Sequence, residues 1–221
     1  MENWVNFAEF DQTHYVDTEY ALQGSGSLRV ESIRDNTEAT IYSPSLETQN
    51  NNAASEGRVK TAIRRTSRVY IGMYVRFVDI DNHYFIVGGQ FDDLRGLRLY
   101  KREDGQTQLI NSVEFETFSD RTEIYDEPNW IPFRITWHED DLNGFRIWVQ
   151  EDANEDGEWS DVGGDVVDPD PSFGPNESTT GSGIGFGSNS AAVGPDADDD
   201  LSSLENGLWF DRTQLYYDTN A

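Results

Sequence analysis

The sequence has 221 residues and no cysteine, which excludes disulfides, thiol catalysis and cysteine-based zinc sites, and no run of about 18 apolar residues, which excludes a membrane-spanning helix. Its 42 acidic and 16 basic residues give a net charge of −26, and so acidic a surface repels phosphate, which excludes nucleic acid as a general partner.

In chain order, Trp4 to Phe10 is aromatic and is expected as an edge strand. Gly24-Ser25-Gly26-Ser27 is a flexible turn feeding an alternating strand, Leu28 to Glu31, and Ala39 to Tyr42 is another that Pro44 ends. The polar run Glu47 to Glu56 has nothing to bury and reads as a surface loop. Just after it, Arg58, Lys60, Arg64, Arg65 and Arg68 gather five of the 16 positive charges within eleven residues. Two readings stand: a docking patch for an acidic partner, whose carboxylates arginine forks pair with even in salt, or a partner for this chain's own acids. Arg68 to Val78 is the longest strand, with Val69, Ile71, Met73, Val75 and Phe77 on one face and Tyr70 and Tyr74 on the other. Tyr84 to Phe91, Gly96 to Lys101 and Leu109 to Phe115 continue the pattern.

The pattern is plainest from Pro132 to Val162. Phe133, Ile135 and Trp137 alternate with Arg134, Thr136 and His138, and Phe145, Ile147 and Val149 alternate with Arg146, Trp148 and Gln150. Asn143-Gly144 between them takes the positive φ of a hairpin turn, and a third strand begins at Trp159 after Asp156-Gly157. This predicts an antiparallel meander at the centre of the molecule. Ile184 to Gly187 and Leu208 to Tyr217 complete eleven or twelve short strands, with no helical period and no Pro/Ser-rich linker. The fold expected is all-β, two packed antiparallel sheets in a single domain over residues 1–221.

Gly26-Ser27-Leu28-Arg29-Val30, the aromatic strand Tyr70 to Val78, Trp130-Ile131-Pro132-Phe133-Arg134-Ile135, and Ile184-Gly185-Phe186-Gly187 before Trp209-Phe210-Asp211 occur in an order that covers most of the chain. That order resembles the concanavalin A-like lectin and glucanase superfamily, in particular its laminin-G-like members, and implies a jelly-roll sandwich. A galactose-binding-like jelly roll shares the Gly-Ser-Leu-Arg opening and is the rival fold. The excess of acids, with Lys60 and Lys101 the only lysines, resembles the proteins of salt-in halophilic archaea and their viruses. Molar salt screens such self-repulsion to about 3 Å.

Laminarinase-like enzymes of the superfamily carry Glu-x-Asp-x-x-Glu, because retaining hydrolysis needs two carboxylates about 5 Å apart. Here Glu114 and Glu116 share a strand face but Ser119 stands where the last glutamate belongs, so the pair reads as a solvated face and the chain as non-catalytic. His14, His83 and His138 are too scattered for a triad or a histidine metal site.

Asp152, Asn154 and Asp156 before Gly157 match the front of a calcium loop, with Glu158 or Asp161 to complete the shell; a polar turn explains the same residues. Asp196, Asp198 and Asp200 repeat the spacing in what reads as a solvated acidic loop, and Asn176-Glu177-Ser178 is a glycosylation sequon. Tyr84, Trp130, Trp148 and Trp159 are the candidate rings for stacking on sugar.

The function expected is a non-catalytic, lectin-like module. It would be a virion surface subunit of a haloarchaeal virus (capsid decoration, turret or tail), acting in attachment or assembly by glycan or protein contacts with other virion subunits or its own copies. The acidic start Met1-Glu2-Asn3-Trp4 lacks a secretory signal, in keeping with release at lysis or with a place in a halophile's cytoplasm. A glycoside hydrolase or lyase of the same superfamily and an intracellular scaffold domain are the alternatives.

Overall fold

Alternation with a period of two runs through the chain, and the structure, a computed structural model, turns it into strands. It describes residues 5–8, 13–17, 25, 27–31, 38–43, 57–65, 71–90, 95–114, 131–140, 144–151, 158–161, 165–174, 179–181, 183–189 and 207–217. Among them are fifteen strands and no helix: β1 Val5–Ala8, β2 Thr13–Asp17, β3 Ser27–Glu31, β4 Glu38–Ser43, β5 Gly57–Arg65, β6 Ile71–Asp79, β7 Asn82–Gln90, β8 Arg95–Glu103, β9 Gln106–Glu114, β10 Ile131–Asp140, β11 Gly144–Glu151, β12 Ser160–Asp161, β13 Val166–Asp168, β14 Gly183–Asn189 and β15 Gly207–Tyr217.

The first sheet runs β1-β4-β14-β6-β7-β8-β9 and the second β12-β11-β10-β5-β15-β3-β2, with β13 also against β11. Every pairing is antiparallel, and the sheets pack face to face as a jelly-roll sandwich. Met73, Val75, Tyr84, Ile86, Leu97 and Leu99 of the first sheet meet Val59, Phe133, Ile135, Trp137, Phe145, Ile147 and Val149 of the second, all buried. The alternation assigned Met73, Val75, Phe133, Ile135, Trp137, Phe145, Ile147 and Val149 to one face of their strands, and these are the faces that pack inward; Val59 belongs to a strand the sequence reading did not recognise.

Two expectations need correction, and one strand had no place in the sequence reading. The cationic segment after the polar run is that strand: Arg58 and Lys60 alternate with buried Val59 and Thr61 along β5, which lies between β10 and β15 in the middle of the second sheet. The meander β10-β11-β12 is therefore on the flank of that sheet and not at the centre of the molecule, because β5 and β15 separate it from β3. Phe77 does not share a face with Met73 and Val75. Arg76 has φ 48, the β6–β7 register slips between Val75 and Asp79, and the alternation restarts with the opposite sense.

Phe77 instead stacks on His83 at 5.1 Å and meets Tyr74 edge-on at 6.2 Å, while Phe85 stacks on Tyr100 at 4.9 Å. These five rings are all buried and lie outside the core between the sheets, so β6, β7 and β8 are buried on both faces at these positions, while edge strand β9 is largely exposed. The second sheet differs. Its outward positions on β5, β10 and β11 are polar and half-buried or exposed.

Candidate functional site

Because β5, β10 and β11 commit one face to the core, their alternate residues must project from the other side. The register aligns them in rows. Asp161 is opposite Gln150, Gln150 opposite Arg134, Arg134 opposite Lys60, and Lys60 opposite Gln214 of β15. Beside it, Trp148 is opposite Thr136 and Thr136 opposite Arg58.

Side-chain contacts tie the rows together. Arg134 donates from Nε to Gln150 Oε1 at 2.7 Å, and Gln150 donates from Nε2 to Asp161 Oδ1 at 2.7 Å. Trp159, just before β12, lies half-buried against this row, its ring centroid 4.7 Å from the Arg134 guanidinium carbon and 5.7 Å from Lys60 Nζ. Stacking on an indole holds the guanidinium plane in a fixed attitude. Arg58 donates from Nε to Thr136 Oγ1 at 3.3 Å. In the next row the Trp148 ring is 4.6 Å from His138 and 5.7 Å from the Arg146 guanidinium, whose terminal nitrogen pairs with Asp165 at 3.5 Å.

Partial burial, and after it the neighbouring Arg58 charge, lower the pKa of Arg134, while Asp161 works in the opposite direction. Among the described residues neither Arg58 nor Arg134 has a carboxylate in ion-pair contact. In a chain of 42 acids and 16 bases this is an unusual place to leave two adjacent guanidinium groups.

A second polar cluster is enclosed between the sheets. The Tyr84 hydroxyl donates to Asp168 Oδ2 at 2.7 Å and accepts from the Ser172 amide at 2.8 Å. Lys101 Nζ pairs with Asp168 Oδ2 at 3.2 Å and donates to the Asp170 carbonyl at 2.7 Å and Ser172 Oγ at 3.4 Å, so its three protons meet three acceptors. Arg76 lies 4.0 Å over the Phe145 ring, pairs with Glu139 at 3.0 Å and donates to the Ser172 carbonyl at 3.2 Å. Burial, and then Asp168, raise the Tyr84 pKa far above its ordinary value, so the phenol stays protonated. These groups fasten residues 168–174 across the end of the sandwich, and each is satisfied by its neighbours.

Of the candidate stacking rings, Trp148 and Trp159 belong to the outer face, Tyr84 is fully buried and is no surface platform, and Trp130 lies outside the described residues. Of the docking candidates, Arg58 and Lys60 lie on the same face; Arg64 and Arg65 are on β5 opposite Trp209 and Leu208, and their side chains, like Arg68, lie outside the described residues. In the calcium loop, Glu158 is exposed and the exposed Asp161 accepts from Gln150, while Asp152, Asn154 and Asp156 lie outside the described residues. Glu114 is exposed at the end of edge strand β9, and Glu116, the sequon and Asp196, Asp198 and Asp200 lie outside the described residues.

The sequence reading had not joined the indoles to the cations, and it had not singled out Arg134 or Gln150. Their outward alternation was visible, but only the β5–β10 register places Arg134 beside Lys60.

No family model matches this sequence, and no curated protein matches it. Among solved structures, the fold is similar to the carbohydrate-binding module CBM66 from Bacillus subtilis, with a TM-score of 0.52 and 13% identity over 97% of this chain and 95% of that one. It is also similar to xylan β-1,4-xylosidase from Bacillus halodurans, with a TM-score of 0.47 and 10% identity over 86% of this chain and 32% of that one. A third is a carbohydrate esterase from the Shiga toxin-encoding bacteriophage phi24B, with a TM-score of 0.45 and 7% identity over 97% of this chain and 90% of that one. At these identities the likeness is one of fold: a β-sandwich of the kind that the concanavalin A-like resemblance implies.

Proposed function

We propose that this chain is a non-catalytic β-sandwich module that binds carbohydrate on the outer face of its second sheet. The observation that carries the reading is the half-buried Trp159 ring held against Arg134, with Gln150, Lys60 and Arg58 around it on regular strands. A flat ring takes the apolar face of a pyranose, and the fixed donors and acceptors beside it take the hydroxyls. The likeness to the CBM66 module, which spans nearly the whole of both chains, supports the reading through the fold. Among the described residues the buried carboxylate of Asp168, committed to Lys101 and Tyr84, and the half-buried one of Glu139, paired with Arg76, also support a non-catalytic role. The setting we propose is a hypersaline one, supported by the charge of −26 and the near-absence of lysine.

The test is affinity electrophoresis and calorimetry of the whole chain against a panel of soluble polysaccharides, with reducing-sugar release assayed in parallel. One or more polysaccharides should retard the protein without being cut, and Trp159→Ala should weaken that binding at least tenfold with an unchanged melting temperature. Retention of full affinity by the variant, or hydrolysis of a bound polysaccharide, overturns the reading.

A further inference from the structure

We propose that the ligand of this face is an acidic polysaccharide, a polyuronate whose carboxylates are taken by Arg134 and Arg58 while a sugar ring lies on Trp159. This rests on the carbohydrate-binding reading above and adds the chemical class of the sugar.

Three cations stand in adjacent cross-strand positions: Lys60 directly opposite Arg134, and Arg58 two residues along β5, opposite Thr136. Arg134 and Arg58 each spend Nε on a neutral partner, Gln150 and Thr136, and among the described residues their terminal amines make no hydrogen bond. A guanidinium presented in this way offers two parallel N–H groups, the geometry that a carboxylate accepts as a pair. The two arginines also raise each other's energy, and one anion between them would relieve both at once.

The rest of the molecule makes the placement informative. With 42 acids on the chain, internal partners for a guanidinium are abundant, yet among the described residues neither of these two is in ion-pair contact with a carboxylate. An acidic peptide brings carboxylates on flexible stems but no rigid apolar ring for the indole. A uronate unit brings both in one rigid piece.

The experiment uses the whole protein at about 1 M salt, where the field of its remote carboxylates is confined to about 3 Å and contact interactions dominate. Short oligomers of galacturonate, mannuronate and glucuronate are titrated calorimetrically, each beside its neutral methyl ester, with poly-glutamate as the peptide control. At least one oligouronate should bind tenfold or more tightly than its ester, and poly-glutamate should bind more weakly than either form. Arg134→Gln and Arg58→Gln should each weaken binding of the acid at least fivefold more than binding of the ester, so that the preference for acid disappears, with an unchanged melting temperature. Equal affinity for acid and ester, or binding confined to neutral polysaccharides, overturns the uronate assignment and leaves the carbohydrate reading intact. Poly-glutamate binding as tightly as the best oligouronate overturns it in favour of an acidic protein partner. If no glycan of any kind binds, both readings fall.

Discussion

His83 illustrates how the burial of one ring becomes a property of the protein. It sits among Tyr74, Phe77 and Phe85, donates from Nδ1 to the Asp79 carbonyl 3.1 Å away, and its Nε2 is buried with no hydrogen-bond partner among the described residues. Neutral imidazole is the form that fits: Nδ1–H faces the carbonyl, and Nε2 carries no proton to strand. Burial accordingly lowers its pKa from 6.5 to about 4, the Asp79 carbonyl opposing the shift and the Arg102 charge adding to it. Because the unfolded chain takes up this proton more readily than the folded one, the contribution to stability is complete above about pH 6.5 and is lost as pH falls toward 4. The gap corresponds to about 3 kcal/mol over the window. Replacing the ring with an apolar one of similar shape, His83→Phe, should flatten the acid limb of the stability curve relative to the parent. Chemical denaturation from pH 7 down to 4 measures it, and parallel curves would remove His83 as the cause.

At the scale of elements, the β10–β11 hairpin shows how much a short stretch can dictate. Its alternation fixed which side of each strand is buried, and Gly144 has the positive φ, 86°, that the Asn-Gly pair announced. Asp140 pairs with Gly144, so residues 141–143 make the connection. The structure adds a reason for glycine that no local pattern contains: a Cβ there would run into the carbonyl of Asp168, with the Pro169 Cα only 2.9 Å away. Gly144→Ala should therefore lower the denaturation midpoint by an amount equivalent to about 2 kcal/mol or more, combining backbone strain with the collision; a change below half that would mean the chain after β13 yields easily.

Strand β5 is the opposite case. Its Val59 and Thr61 alternate correctly, but the charges of Arg58 and Lys60 drew attention from the period, and no turn signal marked the segment as a strand. The β6 slip at Arg76 was illegible for another reason. It depends on partners far along the chain, Glu139, Phe145 and Ser172, that hold the arginine between the sheets. The candidate site was half legible on the same grounds: its indoles and the cations of β5 could be named from residue type, whereas their meeting with Arg134 is a product of pairing.

At the scale of the whole molecule, a net charge of −26 on a sandwich of this size is a standing cost in dilute buffer, since every carboxylate sits in the field of the others. The protein's thermal midpoint should rise steeply as sodium chloride is raised from about 0.1 M to about 3 M, with loosening or unfolding on dialysis into dilute buffer. A midpoint that stays level across that range would separate the acidic composition from any adaptation to salt.

The two sheets divide the work unequally. Strands β6, β7 and β8 of the first carry buried rings on the side away from the interior as well; the second shows the solvent a plate of arginine, lysine, amide and indole on β5, β10 and β11 whose reverse side is the hydrophobic interior. Substitutions at Arg58, Arg134, Gln150 and Trp148 alter the chemistry of that plate without changing the buried residues behind it, so the face can be varied with little risk to folding.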